Sequence, residues 1–448
     1  VGDRRIRTWA LVLLAAIPAL AVLRTGISVD DSTFVRQLRK ADAIPRGDAS
    51  VRYFTNAPRS SRFAKRRAIE AVNIYREALP DPAARRRIGL IKYYFLNQPV
   101  AELFFPTSKH SFTSREAALW QRALIAKSRS QSEATRLAKE IRSYHLGPLE
   151  PIALLTLYRN SGDIVAARAQ SARLNRMTLL ATFRVAPVVV VGLALTVSGF
   201  VILWRHRRSI RKVFRRGLRA FRSDDALLSA FTIYLAVLIA GSAFMKWLSL
   251  HFSTAVYAIA AVAVPLIALT ASMLVLARFS RRGAIVRIVG PNSACTTWRN
   301  VWTGISSYAA ALSLALVAGG LVAAVIALLG VQPPSRFDSV AAIIRHGGTA
   351  AGVLVVAIVV VAPIVEEICF RGMLFKGLRG KVGFLWASLL SALVFAFAHR
   401  ITQPQTFLQL LLLGMVFAYL RETNRSIVPC AVCHALNNCF YIAIVMLF

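Results

Sequence analysis

Long apolar runs set off by clusters of arginine constrain this chain more than any other feature. From about residue 180 onward, runs near 185–204, 226–250, 255–277, 307–330, 349–370, 384–399, 406–420 and 427–448 each approach the ~20 residues that carry a helix across a bilayer core. With the N-terminal run, that is eight or nine spans. The composition fits no ordinary soluble enzyme: 56% of residues are hydrophobic, yet 56 Lys and Arg face 20 Asp and Glu, a formal charge of +36. So large a basic surplus in so apolar a chain has to sit between the spans, where it reads as positive-inside loops and contact with anionic lipid headgroups. Nucleic acid is not an expected partner, because the basic residues alternate with spans rather than forming one stripe. The fold class expected is therefore all-α, a polytopic membrane helical bundle.

Four regions follow in chain order. Residues 1–24 carry Arg4, Arg5 and Arg7 before an apolar run, with Ala19-Leu20-Ala21 offering a cleavage site, so the segment is a membrane anchor or a signal segment. Residues 25–177 lack a spanning run and carry helix signals: Thr113 with Glu116 and Ser130 with Glu133 are capping boxes, and Gly147-Pro148 is a stop for the second of those helices. A soluble helical domain without a fixed repeat period is expected there. Residues 178–304 hold transmembrane helices joined by basic loops at 205–222 and 278–287, and residues 305–448 hold the remaining spans with a basic loop at 376–381. Those three loops are expected on the cytoplasmic side, which makes residues 25–177 extracytoplasmic. The five cysteines are odd in number, and none precedes Cys295, so a disulfide-stapled ectodomain is excluded.

Ionisable groups inside spans are costly and mark functional sites by default. Glu366 and Glu367 close one apolar run and Arg371 follows. His399 ends the next run, and His434 and Asn438 lie inside the last. Glu367 stands four residues before Arg371, the favourable order for an intrahelical ion pair, which gives Glu367 a structural role. Glu366 points about 100° away. Its neighbours three and four residues on, Cys369 and Phe370, cannot neutralise it, so it is the carboxylate left for general-base work. His434 and Asn438 share one helix face as a pair of donors for a developing oxyanion. The pattern Cys430-x2-Cys433-His434 also matches haem attachment, but it lies within a span, and no haem is expected.

Glu366-Glu367-x3-Arg371, Phe395-x3-His399 and His434-x3-Asn438 resemble, in order and spacing, the three motifs of the CPBP family. These are the intramembrane CaaX proteases and bacteriocin-processing enzymes, also called the Abi family. The resemblance covers about residues 305–448 and implies an intramembrane endopeptidase. It implies that Glu366, with His399, activates the water that attacks a peptide bond, that His434 and Asn438 stabilise the oxyanion, and that Glu367 and Arg371 hold the architecture. Family members are widely named metalloproteases, whereas the eukaryotic CaaX members are also described as glutamate-dependent. No H-E-x-x-H is present, and the expectation is that no cofactor is required. The alternative is a divalent metal, zinc, on Glu366, His399 and His434.

Two other readings of the same residues stay open: a non-catalytic membrane scaffold or bacteriocin self-immunity protein, and a proton-coupled transporter. The Arg- and Ala-rich composition and the opening Val1 fit a bacterial source, where prenylated targets are not expected. The expected substrate is accordingly a peptide or membrane protein, and the expected location is the inner (cytoplasmic) membrane. The protease reading carries one geometric demand. Glu366 and His399 reach the same depth only if the helix bearing Glu366 continues past Arg371 to about Gly377, or if the next helix starts outside the bilayer, and the former is expected.

Overall fold

A computed structural model describes residues 33–52, 54–55, 61–99, 114–126, 130–217, 224–252, 254–279, 288–290, 294–329, 339–399 and 403–447. The N-terminal segment 1–24 and Thr113 of the first capping box lie outside these residues. Every regular element among them is helical, as the apolar periodicity requires. The chain divides into two compact units, one spanning Arg36–Val189 and the other mainly Val190–Met446.

The first unit contains α1 (Thr33–Arg52), α2 (Arg62–Arg76), α3 (Pro82–Leu96), α4 (Ser114–Leu124), α5 (Gln131–Ser143), α6 (Glu150–Asn160) and the start of α7 (Ile164–Phe214). Its helices begin where side-chain acceptors meet free backbone donors. Asp81 accepts from Ala83 N–H with Pro82 following, and Ser130 accepts from Glu133 N–H. α5 ends at Ser143, before the Gly147-Pro148 stop expected from the sequence. The chain reverses at His145 and Gly147, both with positive φ, and Pro148 instead opens a 3-10 turn into α6. Trp120, Tyr75, Tyr94 and Phe54 fill the core. Beside them Asp48 accepts from Tyr75 Oη at 2.6 Å and from Arg87 Nε at 2.8 Å, and Arg87 also donates to His145 O at 3.0 Å. A nearly buried cation is thereby fully engaged.

The second unit contains the rest of α7, then α8 (Asp224–His251), α9 (Thr254–Phe279), α10 (Ala294–Leu328), α11 (Ser339–His346), α12 (Gly348–Arg379), α13 (Phe384–Ala398), α14 (Pro404–Asn424) and α15 (Val428–Leu447). Seven helices among the described residues are long and apolar enough to cross a bilayer, and α13 is a shorter apolar helix of 15 residues. The eight runs predicted after residue 180 fall, over their described residues, on these eight helices, and the N-terminal run lies outside the described residues. Val190, Leu193, Val197, Phe200 and Trp204 of α7 point outward, as do Ile259, Leu274 and Leu321 on later helices. An outer surface this apolar belongs in lipid, and the chain is a multi-pass membrane protein. Helices approach closely through small residues: Ser313 Oγ donates to Thr196 O at 2.8 Å, and a Cβ on Gly199 would collide with Ala309 O.

Two of the basic segments differ from the sequence reading. The run 205–222 is not a loop throughout, because α7 continues through it to Phe214, and α12 likewise takes the segment 376–381 as far as Arg379. Arginine and lysine are good helix formers, so basic residues past the apolar run extend the helix rather than ending it.

α12 is continuous through Arg371 to Arg379, which meets the demand set by the position of His399. It is not a regular α-helix. Pro363 has no N–H to give Val359 O. The Ala362 N–H reaches back to Ala357 O, five residues rather than four, and Ala357–Val361 forms a π segment. Ile358 O is thereby orphaned, since Ala362 is engaged elsewhere and Pro363 has nothing to donate. A second π segment, Glu367–Phe375, follows, and Ser391 Oγ of α13 donates to Phe370 O within it at 3.4 Å.

Candidate active site

Three helices bring the acidic and imidazole groups together. Glu366 and Glu367 sit where the α segment of α12 passes into its second π segment. His399 caps the C-terminus of α13, and His434 and Asn438 lie on α15. Oε2 of Glu366 is 3.8 Å from His399 Nε2 and 4.0 Å from His434 Nε2. That oxygen is buried and has no hydrogen-bond partner among the described residues. Both rings turn the same nitrogen toward it, because in each the other nitrogen is held. His399 Nδ1 is 2.8 Å from Phe395 O, and His434 Nδ1 is 3.0 Å from Glu367 Oε1. A carbonyl or carboxylate partner requires Nδ1–H, leaving Nε2 of each neutral ring as an acceptor.

Glu367 does more than pair with Arg371. Its Oε1 accepts from Arg371 at 3.1 Å, as the spacing predicts, and it also meets His434. The regular-helix reading separates Glu366 and Glu367 by 100°. In the structure both acids nevertheless reach α15: Glu367 Oε1 meets His434 Nδ1 at 3.0 Å, and Glu366 Oε2 lies 4.0 Å from His434 Nε2. Glu367 thus joins the site through α15, and Pro363 marks the π segment at Ala357–Val361.

Aromatic rings enclose the charged set. Arg371 lies 4.4 Å from the centroid of Phe395 and 4.8 Å from that of Phe417, and it donates to Gly414 O at 3.3 Å. The His434 ring stacks on Phe417 at 5.2 Å and meets the edge of Phe395 at 5.7 Å. The guanidinium is thus held over two π faces and cannot leave without exposing an unpaired charge. Glu367 and Arg371 are fully buried and His434 nearly so, whereas the side chains of Glu366 and His399 keep 21% and 28% of their exposure. The site has a buried charged half and an accessible half.

Asn438 is placed differently from the expected donor pair. Its Nδ2 donates to Ile358 O at 2.7 Å, the carbonyl orphaned by the π segment. One amide hydrogen is spent on α12, and the second is the one left for another acceptor.

The zinc alternative can be tested against these separations. Tetrahedral zinc with bonds of about 2.0–2.1 Å sets its ligand atoms roughly 3.3–3.4 Å apart. The two nitrogens stand farther than that from Glu366 Oε2, and no group of three or more His, Cys, Asp or Glu placed to hold a metal occurs among the described residues. As arranged, the three side chains do not fit the ion, and no chemical step below is routed through one.

Residues 349–440 match the family described as type II CAAX prenyl endopeptidase, Rce1-like. The matched segment contains Glu366, Glu367, Arg371, His399, His434 and Asn438. No curated protein and no solved structure matches the chain.

Proposed function

Taking residues 349–440 as an Rce1-like domain of the CPBP intramembrane protease family, we propose that the chain hydrolyses a peptide bond with a water activated by Glu366. The observation that carries this reading is the convergence of two Nε2 atoms on one unpartnered carboxylate oxygen.

Proton inventory then assigns the roles. Glu366 Oε2 and the two Nε2 atoms would be three acceptors around one water, and a water has two hydrogens. Glu367 holds His434 at Nδ1, and the reading gives His434 a second N–H at Nε2, so that two acceptors and one donor surround the water. The water donates to Glu366 Oε2 and His399 Nε2. Its oxygen attacks the scissile carbonyl as its proton passes to Glu366. His434 Nε2–H and the second N–H of Asn438 receive the developing oxyanion. The proton on Glu366 then goes to the leaving amine as the C–N bond breaks. Phe395 O fixes the His399 tautomer, and Ile358 O fixes the direction of the Asn438 amide. No cofactor is needed for this sequence.

The substrate proposed is a peptide or membrane protein rather than a prenylated chain, and the location proposed is the inner (cytoplasmic) membrane with residues 25–177 extracytoplasmic. Anionic headgroups would meet the basic end of α7. The test compares membrane and secreted peptides from cells carrying the wild-type or the Glu366→Gln chain. Peptide termini that vanish with the Glu366→Gln chain support the proposal, and identical peptide sets overturn it. Cleavage of a farnesylated peptide alone would overturn the substrate assignment.

A packing-only reading draws support from the bonds that His434 and Asn438 already make to α12. It differs from the protease in one respect: nothing in it uses the unpartnered oxygen of Glu366, so the Glu366→Gln substitution would be silent.

A further inference from the structure

α4 (Ser114–Leu124) and α5 (Gln131–Ser143) both pack mainly on α6 (Glu150–Asn160) and touch one another sparsely. A groove of about 670 Å³ opens between them. Its walls carry Arg115 and Arg122 from α4 and Arg136 and Lys139 from α5, all exposed. None of the four makes a hydrogen bond or ion pair among the described residues, and Glu140 is the one carboxylate in the wall. Other arginines of the same unit are committed: Arg46 to Glu77, Arg86 to Glu116, Arg87 to Asp48. The groove therefore holds an uncompensated surplus of positive charge over an apolar floor, where Leu119 and Leu137 are buried.

We infer that this groove binds an acidic peptide segment. Arg115 and Arg122 are seven residues apart on one helix, about 10 Å along its axis. An extended chain covers that length in roughly three residues, so a short run of Asp and Glu presents carboxylates to both walls. The recessed shape separates this ligand from a bilayer surface. Interfacial helices insert exposed large apolar side chains among the headgroups, and the lining has none, since Leu119 and Leu137 are covered and Ala118 is small. If the proposed protease reading holds, the bound segment belongs to its substrate. Binding itself requires no cleavage, so the two proposals fail separately.

The test uses the full chain carrying Glu366→Gln in nanodiscs of zwitterionic lipid, with a short fluorescent Asp- and Glu-rich peptide read by anisotropy. Saturable binding that weakens as salt rises is expected. Arg122→Glu with Arg136→Glu weakens it by about tenfold or more, and the milder Arg122→Gln with Arg136→Gln weakens it less. The same charge reversal on α2, Arg62→Glu with Lys65→Glu, leaves affinity within about twofold, as expected for exposed residues outside the groove. Absence of binding to the wild-type groove overturns the inference, as does an equal loss from the α2 and groove variants. Capture of phosphatidylglycerol vesicles through Arg122 and Arg136 without peptide binding also overturns it, in favour of a membrane contact.

Discussion

His434 on α15 and Glu367 on α12 form a buried pair with Nδ1 and Oε1 3.0 Å apart, and the same carboxylate oxygen accepts from Arg371 at 3.1 Å. One acid thus neutralises a cation stacked on two phenylalanines and fixes the ring orientation of a histidine on another helix. Removing it strands Arg371 at zero exposure. Glu367→Ala is expected to destabilise the protein by about 3–5 kcal/mol, the usual result of breaking a buried ion pair from one side. Glu367→Gln keeps a hydrogen-bond acceptor and is expected to cost less stability while still lowering cleavage. Thermal unfolding in detergent and turnover on a common substrate separate the two effects. Unchanged stability in Glu367→Ala would deny the pair its structural role.

Pro363 acts at a distance from its own position. Pro363→Ala restores an N–H for Val359 O and favours regular α-helix across Ala357–Val361, which withdraws the Ile358 carbonyl from Asn438. Stability is expected to hold or rise, since an interior proline is unfavourable in a helix. Cleavage is expected to fall by about 10²-fold, the lower end for a lost oxyanion donor. Turnover equal to wild type would show that the π segment does not position Asn438.

In the helical unit, the Asp48, Tyr75 and Arg87 network gives a pH-dependent expectation. Burial, and then the neighbouring Asp48, push the Tyr75 hydroxyl well above its ordinary range. The unfolded chain ionises this tyrosine near pH 10 and the folded chain does not. Its contribution is therefore complete below about pH 10 and is lost as pH climbs above it. Between about pH 9 and 11 the wild-type melting temperature should fall more steeply than that of Tyr75→Phe, because phenylalanine removes the titration. Parallel curves would contradict the assignment.

Much of this site is legible in the residue pattern, and what escapes it has a common physical origin. The polar groups within spans are expensive enough to single out Glu366, His399, His434 and Asn438, and the Glu367 to Arg371 spacing gives their ion pair directly. The bond from Glu367 to His434 is hidden because it joins two helices 67 residues apart in the chain, a contact that spacing within α12 does not encode. Spacing alone makes Asn438 a free donor, because the carbonyl it serves is orphaned eighty residues away by Pro363. Phe417 belongs to no polar motif, so its place against Arg371 and His434 is a matter of packing that spacing alone does not encode. The basic segment past Trp204 looks like loop from its charge, although arginine and lysine propagate a helix readily.

The role of Glu366 as the base is tested most directly by the turnover of purified Glu366→Gln chain on a peptide found in the cellular comparison, measured beside its melting temperature. Glutamine keeps the size of the side chain and removes its capacity to accept the proton of water. The account expects cleavage to drop by about 10²-fold to 10⁴-fold, the range for a lost general base, with melting close to wild type because Oε2 has no hydrogen-bond partner among the described residues to lose. Cleavage within a few-fold of wild type would contradict the assignment of Glu366 as the base.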